Sequence, residues 1–149
     1  MLLGHITSME QKETLLNEEE QQDPTVLLWL YYFTAQHYYY LRDFDTALLY
    51  ISKAIDHTPT VIDLYILKAK IYKRAGDQKY ASHLYEEARK LDLADRYLNA
   101  VSSRYLIRVE DIPAAEKTMA LFSKEGEDLN VHDMQCMWFE TECGASYFR

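Results

Sequence analysis

A chain of 149 residues with 48% apolar side chains is long enough for one folded core and too apolar for a disordered tail. Four glycines and three prolines leave little room for many strands and turns, which predicts an all-α fold. The formal charge of −8 is unevenly spread: residues 62–109 hold ten Lys and Arg against six Asp and Glu, a basic island between acidic flanks.

Residues 1–23 come first. Leu3, Ile6 and Met9 at helical spacing predict a short helix with a thin apolar stripe, and the acidic, amide-rich run 17–22 reads as a solvated linker. The opening Met1-Leu2-Leu3 is too short for the apolar segment of a signal peptide and lacks its basic flank. The apolar run from Val26 to Phe33 falls short of the roughly 20 residues a membrane span needs. The expectation is a soluble, cytoplasmic protein with no membrane contact.

Asp23-Pro24 predicts a helix start, an N-cap oxygen followed by a proline where no amide donor is required. The helix that follows is apolar nearly all round and has to be covered on more than one side. Arg42-Asp43 turns the chain, Phe44 to His57 forms a second helix, and Thr58-Pro59 closes it. In Tyr38-Tyr39-Tyr40 the rings are read as lining of the core and groove rather than as a ligand-stacking surface. The next pair of amphipathic runs, residues 60–93, is broken at Gly76-Asp77. A third pair, residues 94–130, starts at Asp95, turns at Glu110-Asp111, has Pro113 in the first turn of its second helix and ends that helix near Gly126. After a polar loop from Glu127 to Asn130, residues 131–149 resume a helix that has no following partner.

These pairs repeat. The spacings Tyr65-x2-Lys68-Ala69-x2-Tyr72 and Ala81-x3-Tyr85 follow the tetratricopeptide pattern, whose period is about 34 residues. One period upstream, Tyr31, Ala35, Tyr38, Ala47 and Ala54 match Tyr65, Ala69, Tyr72, Ala81 and Ala88; one period downstream only Ala115 repeats, beside Asn99, Ser103, Leu106 and Phe122. Small residues are required where helices cross closely. The expected architecture is a tetratricopeptide-repeat α-solenoid of about three hairpins, 24–59, 60–93 and 94–130, plus an unpaired last helix at 131–149. Because a repeat array ordinarily ends on a helix with a polar outer face, the exposed apolar side of that helix predicts a piece of a longer solenoid.

The residues do not form a catalytic pattern. There is no P-loop, glycine-rich dinucleotide turn or nucleophile elbow, and the histidines are scattered over different helical phases. Cys136 and Cys143, placed in one helix about 10 Å apart, are too far apart for a disulfide and read as reduced, packed thiols. His132 precedes Cys136 by four, but two ligands without a third or fourth do not make a metal site.

The basic island carries the functional signal. Lys70, Lys73 and Arg74 lie on one helix, and Arg104 and Arg108 stand one period after Lys70 and Arg74. Residues a repeat apart occupy equivalent faces of neighbouring helices, so the five cations are expected to converge in the groove of the superhelix. Helix-dipole complementation accounts for Lys73, Arg74 and Arg108 in last turns, but not for Lys70 and Arg104 a full turn earlier. The cluster suits a highly phosphorylated small molecule or an acidic peptide; nucleic acid would need a longer basic track. Glu86 or Glu87 offers an internal counter-charge, which would make the same face structural.

Beyond these patterns the wording of the chain resembles a family. Leu27-Leu28-Trp29, Tyr32-Phe33, Ala35-Gln36-His37-Tyr38, Ala69-Lys70-Ile71-Tyr72-Lys73 and Ala94-Asp95-Arg96 resemble the auxiliary subunit of the N-terminal acetyltransferase A (NatA) complex. So, above all, do Met134-Gln135-Cys136-Met137-Trp138-Phe139 and Thr141-Glu142-Cys143. The resemblance runs from about Asp23 to the end, and residues 1–22 do not match clearly. It implies a non-catalytic scaffold that wraps a catalytic acetyltransferase subunit, docks it on ribosomes for co-translational acetylation, and holds inositol hexakisphosphate, a role that fits Lys70, Lys73, Arg74, Arg104 and Arg108. Lys70 and Lys73 lie within a matching motif; the three arginines are carried by charge and phase. Members of the family are several times longer than this chain. A generic tetratricopeptide adaptor clamping an acidic peptide terminus is the alternative.

Overall fold

Aspartates punctuate the chain. The computed structural model describes residues 1–15, 20–122 and 136–148, and among these it contains α1 (Leu2–Lys12), α2 (Pro24–Leu41), α3 (Phe44–His57), α4 (Ile62–Ala75), α5 (Gln78–Leu91), α6 (Arg96–Arg108), α7 (Ile112–Ala120) and α8 (Met137–Tyr147). Asp43, Asp77 and Asp111, one period apart, cap α3, α5 and α7, their carboxylates accepting from the backbone N–H of Thr46, Tyr80 and Ala114 at 3.1, 2.9 and 3.2 Å. The residue before each aspartate is left-handed: Arg42 at φ 64°, Gly76 at φ 103° and Glu110 at φ 68°. That conformation ends one helix so that the aspartate can start the next. Asp23 and Asp95 cap α2 and α6 in the same way.

The chain divides into two compact units, residues 1–75 and 76–149, so the turn at Gly76 separates α4 from α5. In the first unit α2 packs on α3 and α1, and α3 and α2 pack on α4. The core joins Ile6, Leu28, Tyr31, Ala35, Ala47, Ile51, Ala54, Leu64, Leu67 and Ile71. The thin stripe of the first helix is not solvated. Ile6 and Met9 are buried, and Glu10 accepts hydrogen bonds from the Tyr31 hydroxyl at 2.5 Å and from Lys53 at 2.8 Å. The Lys53 and Tyr31 hydrogen bonds hold the Glu10 carboxyl below its usual range, while burial and then Glu10 push the Tyr31 phenol far up. Helix α1 therefore belongs to the first core, although its stripe is only two buried residues wide.

In the second unit α6 is central, with α5, α7 and α8 packed on it. Tyr85 of α5 meets Tyr105 of α6 with ring centroids 4.2 Å apart. Asn99, at the place where the earlier repeats have tyrosine, donates to the Thr118 carbonyl of α7 at 2.8 Å. It thus joins the two helices of its hairpin with a hydrogen bond, where Tyr31 of the first repeat meets Tyr50 of α3 with its ring. Helix α7 ends at Ala120, and the stretch expected to continue it to Gly126 lies outside the described residues, as do the polar loop 127–130, His132 and Met134. Among the described residues the last helix begins at Met137, with Cys136 as a non-helical N-cap, and residues 131–135 of its expected span lie outside the described residues. It lies against α6: Phe139 joins Ile107, Ala115 and Met119 in a second core, and the Ser146 hydroxyl donates to the Ile107 carbonyl at 3.0 Å. Both cysteines are free.

The repeat register is visible as burial. Ala35, Ala47, Ala54, Ala69, Ala81, Ala88, Ser103 and Ala115 are all fully buried, as close helix crossings require. Among the described residues no helix is long and apolar enough to cross a membrane.

Candidate functional site

The five cations occupy two helices. Lys70, Lys73 and Arg74 are exposed on α4 in the first unit; Arg104 and Arg108 are half-buried on α6 in the second. Each group has its own local chemistry.

On α4 the apolar positions Leu64, Leu67 and Ile71 face the core, which turns Lys70 and Arg74 away from it. The Arg74 guanidinium lies over the Tyr39 ring, 4.8 Å from its centroid. Such stacking holds a guanidinium in place while leaving its edge N–H groups available to an acceptor. The tyrosine run thus has three roles: Tyr38 stacks on Tyr50 at an interplanar angle of 8°, Tyr39 supports Arg74, and Tyr40 is exposed.

On α6 the counter-charge is neither of the acids named from the sequence. Glu86 is bound by Arg89 at 2.5 Å and accepts from Ser102 at 2.8 Å, bonds that hold its carboxyl below the usual range. Glu87 faces His83 at 3.9 Å. The partner is Glu142 of α8, whose Oε1 is 3.3 Å from Arg108 Nη2 and 3.8 Å from Arg104 Nε. The Arg104 guanidinium also covers the Trp138 ring at 4.6 Å. These two contacts obey one rule: Trp138 stands one period after Arg104, and Glu142 one period after Arg108. In the second unit, side chains a repeat apart are neighbours. The signal for Glu142 was therefore present in the sequence, in the third member of the column Arg74, Arg108, Glu142.

Nucleophilic chemistry has little support at the cysteine nearest this cluster. Burial, then Glu116 and Glu142, push the Cys143 thiol up and so disfavour the thiolate. Among the described residues, no group of three or more His, Cys, Asp and Glu is placed to hold a metal ion.

Comparison with known proteins gives a consistent result. The family model described as "N-terminal acetyltransferase A, auxiliary subunit" matches residues 1–149, including the first 22, whose motifs do not show it. The chain is 53% identical over 107 residues to the N-terminal acetyltransferase A complex auxiliary subunit NAA15 of Arabidopsis thaliana, covering 71% of this chain and 12% of that protein. It is 46% identical over 111 residues to the human N-alpha-acetyltransferase 16, NatA auxiliary subunit, covering 73% of this chain and 13% of that one. A solved structure of Naa15/Naa10 bound to HypK-THB contains a chain similar in fold, with a TM-score of 0.76 at 37% identity, covering 83% of this chain and 20% of that chain. The matched region is thus about one eighth of the length of these two relatives.

Proposed function

Since the chain belongs to the N-terminal acetyltransferase A auxiliary-subunit family, we propose that it is a segment of a non-catalytic scaffold that binds a catalytic acetyltransferase subunit and holds an inositol polyphosphate on Lys70, Lys73, Arg74, Arg104 and Arg108. A solenoid suits such work because stacked hairpins present a long, preformed surface on which few groups have to be ordered at binding. The observation that carries the polyanion reading is the contact of Arg104 with Trp138 and of Arg108 with Glu142, each pair one repeat apart. In the sequence, Lys70 and Arg74 stand one repeat before Arg104 and Arg108. A ligand with many phosphate oxygens, such as inositol hexakisphosphate, would offer each of these cations a charge-assisted acceptor.

In this reading the catalytic partner supplies the acetyl-transfer chemistry and this segment supplies shape and charge. Association with ribosomes follows through the assembled complex in the cytoplasm, without direct contact between this segment and nucleic acid. The test is co-purification with the catalytic acetyltransferase subunit, in parallel with titration by inositol hexakisphosphate. Retention of the subunit, and binding that Lys70→Glu weakens at least tenfold, are the expected results. Failure to retain the subunit overturns the scaffold reading for this segment, and polyphosphate binding indifferent to Lys70→Glu overturns the site.

A further inference from the structure

Glu142 meets its two arginines poorly. One carboxylate oxygen is shared between two guanidiniums at 3.3 and 3.8 Å, whereas charge-assisted N–H···O bonds close to about 2.7–2.9 Å. The Arg104 Nε is buried and has no hydrogen-bond acceptor. Two cations against one anion leave a net positive charge, and the Trp138 face beneath Arg104 holds that guanidinium in position without neutralising it. A buried N–H without an acceptor is costly, and a longer or more highly charged acceptor would relieve it.

We infer that Glu142 is a resident competitor for the anion site, a loosely held carboxylate that occupies Arg104 and Arg108 until a polyphosphate displaces it. This rests on the polyanion reading above and adds the residue that sets its affinity. Displacement has a structural cost that stays small, because α8 remains anchored through the burial of Phe139 and the Ser146–Ile107 hydrogen bond. The carboxylate therefore weakens binding of singly charged anions most, since these bring no more charge than Glu142 does, and the site selects for multiply phosphorylated ligands.

The test titrates inositol hexakisphosphate into the full chain and into Glu142→Gln, with Glu87→Gln as the control that removes the same charge from α5. Removal of a partly exposed ion pair predicts binding tighter by about fivefold for Glu142→Gln, with a smaller shift for Glu87→Gln. A second readout uses Trp138 as reporter in a Trp29→Phe background, the chain having only two tryptophans. Its emission is expected to change with ligand and to saturate at the same concentration as the calorimetric binding. Binding by the full chain that Lys70→Glu weakens, but that Glu142→Gln leaves unchanged or that leaves Trp138 emission unmoved, overturns this inference and keeps the polyanion reading. Absence of binding by both chains overturns both. Binding by Glu142→Gln alone supports the competition in its strongest form.

Discussion

Replacing Phe139 by alanine separates the forces that hold α8. The ring is 2% exposed and packs with Ile107, Ala115 and Met119. An aromatic side chain removes about 200 Å² from water, worth about 5 kcal/mol at 25 cal/mol per Å². A denatured chain already hides part of that surface, which lowers the figure to about 3–4 kcal/mol, within the usual range for Phe→Ala. By contrast, the Ser146 hydrogen bond contributes about 1 kcal/mol, and the Glu142 ion pairs, at 3.3 and 3.8 Å, contribute under about 1 kcal/mol. Hydrogen exchange of the α8 amides reads the difference directly, because a tenfold change in opening corresponds to about 1.4 kcal/mol. Phe139→Ala is expected to accelerate exchange about 10²- to 10³-fold, or to remove protection from α8 entirely, and Ser146→Ala about fivefold. Equal acceleration by Glu142→Gln and Phe139→Ala would refute this reasoning, since α8 would then be held by charge rather than by apolar burial.

Other perturbations test the frame. Ala47 is fully buried where α2 and α3 cross, so Ala47→Leu should destabilise the first unit by about 1–3 kcal/mol through overpacking, seen as a lower urea midpoint. Glu110 holds a left-handed φ of 68° between α6 and α7; Glu110→Gly relieves that strain and should raise stability by about 1 kcal/mol, measured as a higher Tm, whereas Asp111→Ala, one residue on, removes a cap and should lower it by about 1 kcal/mol. The Glu10 carboxyl has a lowered folded-state pKa. Its contribution is therefore present above the unfolded carboxyl pKa of about 4.3 and is lost as pH falls through the folded value. Melts taken from pH 6 down to pH 2 should show α1 loosening over that window, and Glu10→Gln should abolish this part of the pH dependence.

Local rules in the sequence determined much of the fold. Helical periodicity, Asp23-Pro24, the bounds of α3 and the start of α6 at Asp95 could all be read because capping and amphipathicity act within a turn or two of the chain. The repeat period located the fully buried small residues, since a tandem fold makes distant neighbours predictable from spacing alone. It also contained the answer to the charge question, in Trp138 and Glu142 one period beyond Arg104 and Arg108, but only tertiary structure selected it. Glu86 and Glu87 lay nearer in sequence, and which carboxylate meets an arginine depends on how helices pack and on Arg89 already holding Glu86. Packing also decided the fate of α1. A stripe of two residues is weak by itself, yet it is buried because Glu10 finds Lys53 and Tyr31, partners far along the chain whose positions exist only once α2 and α3 have folded.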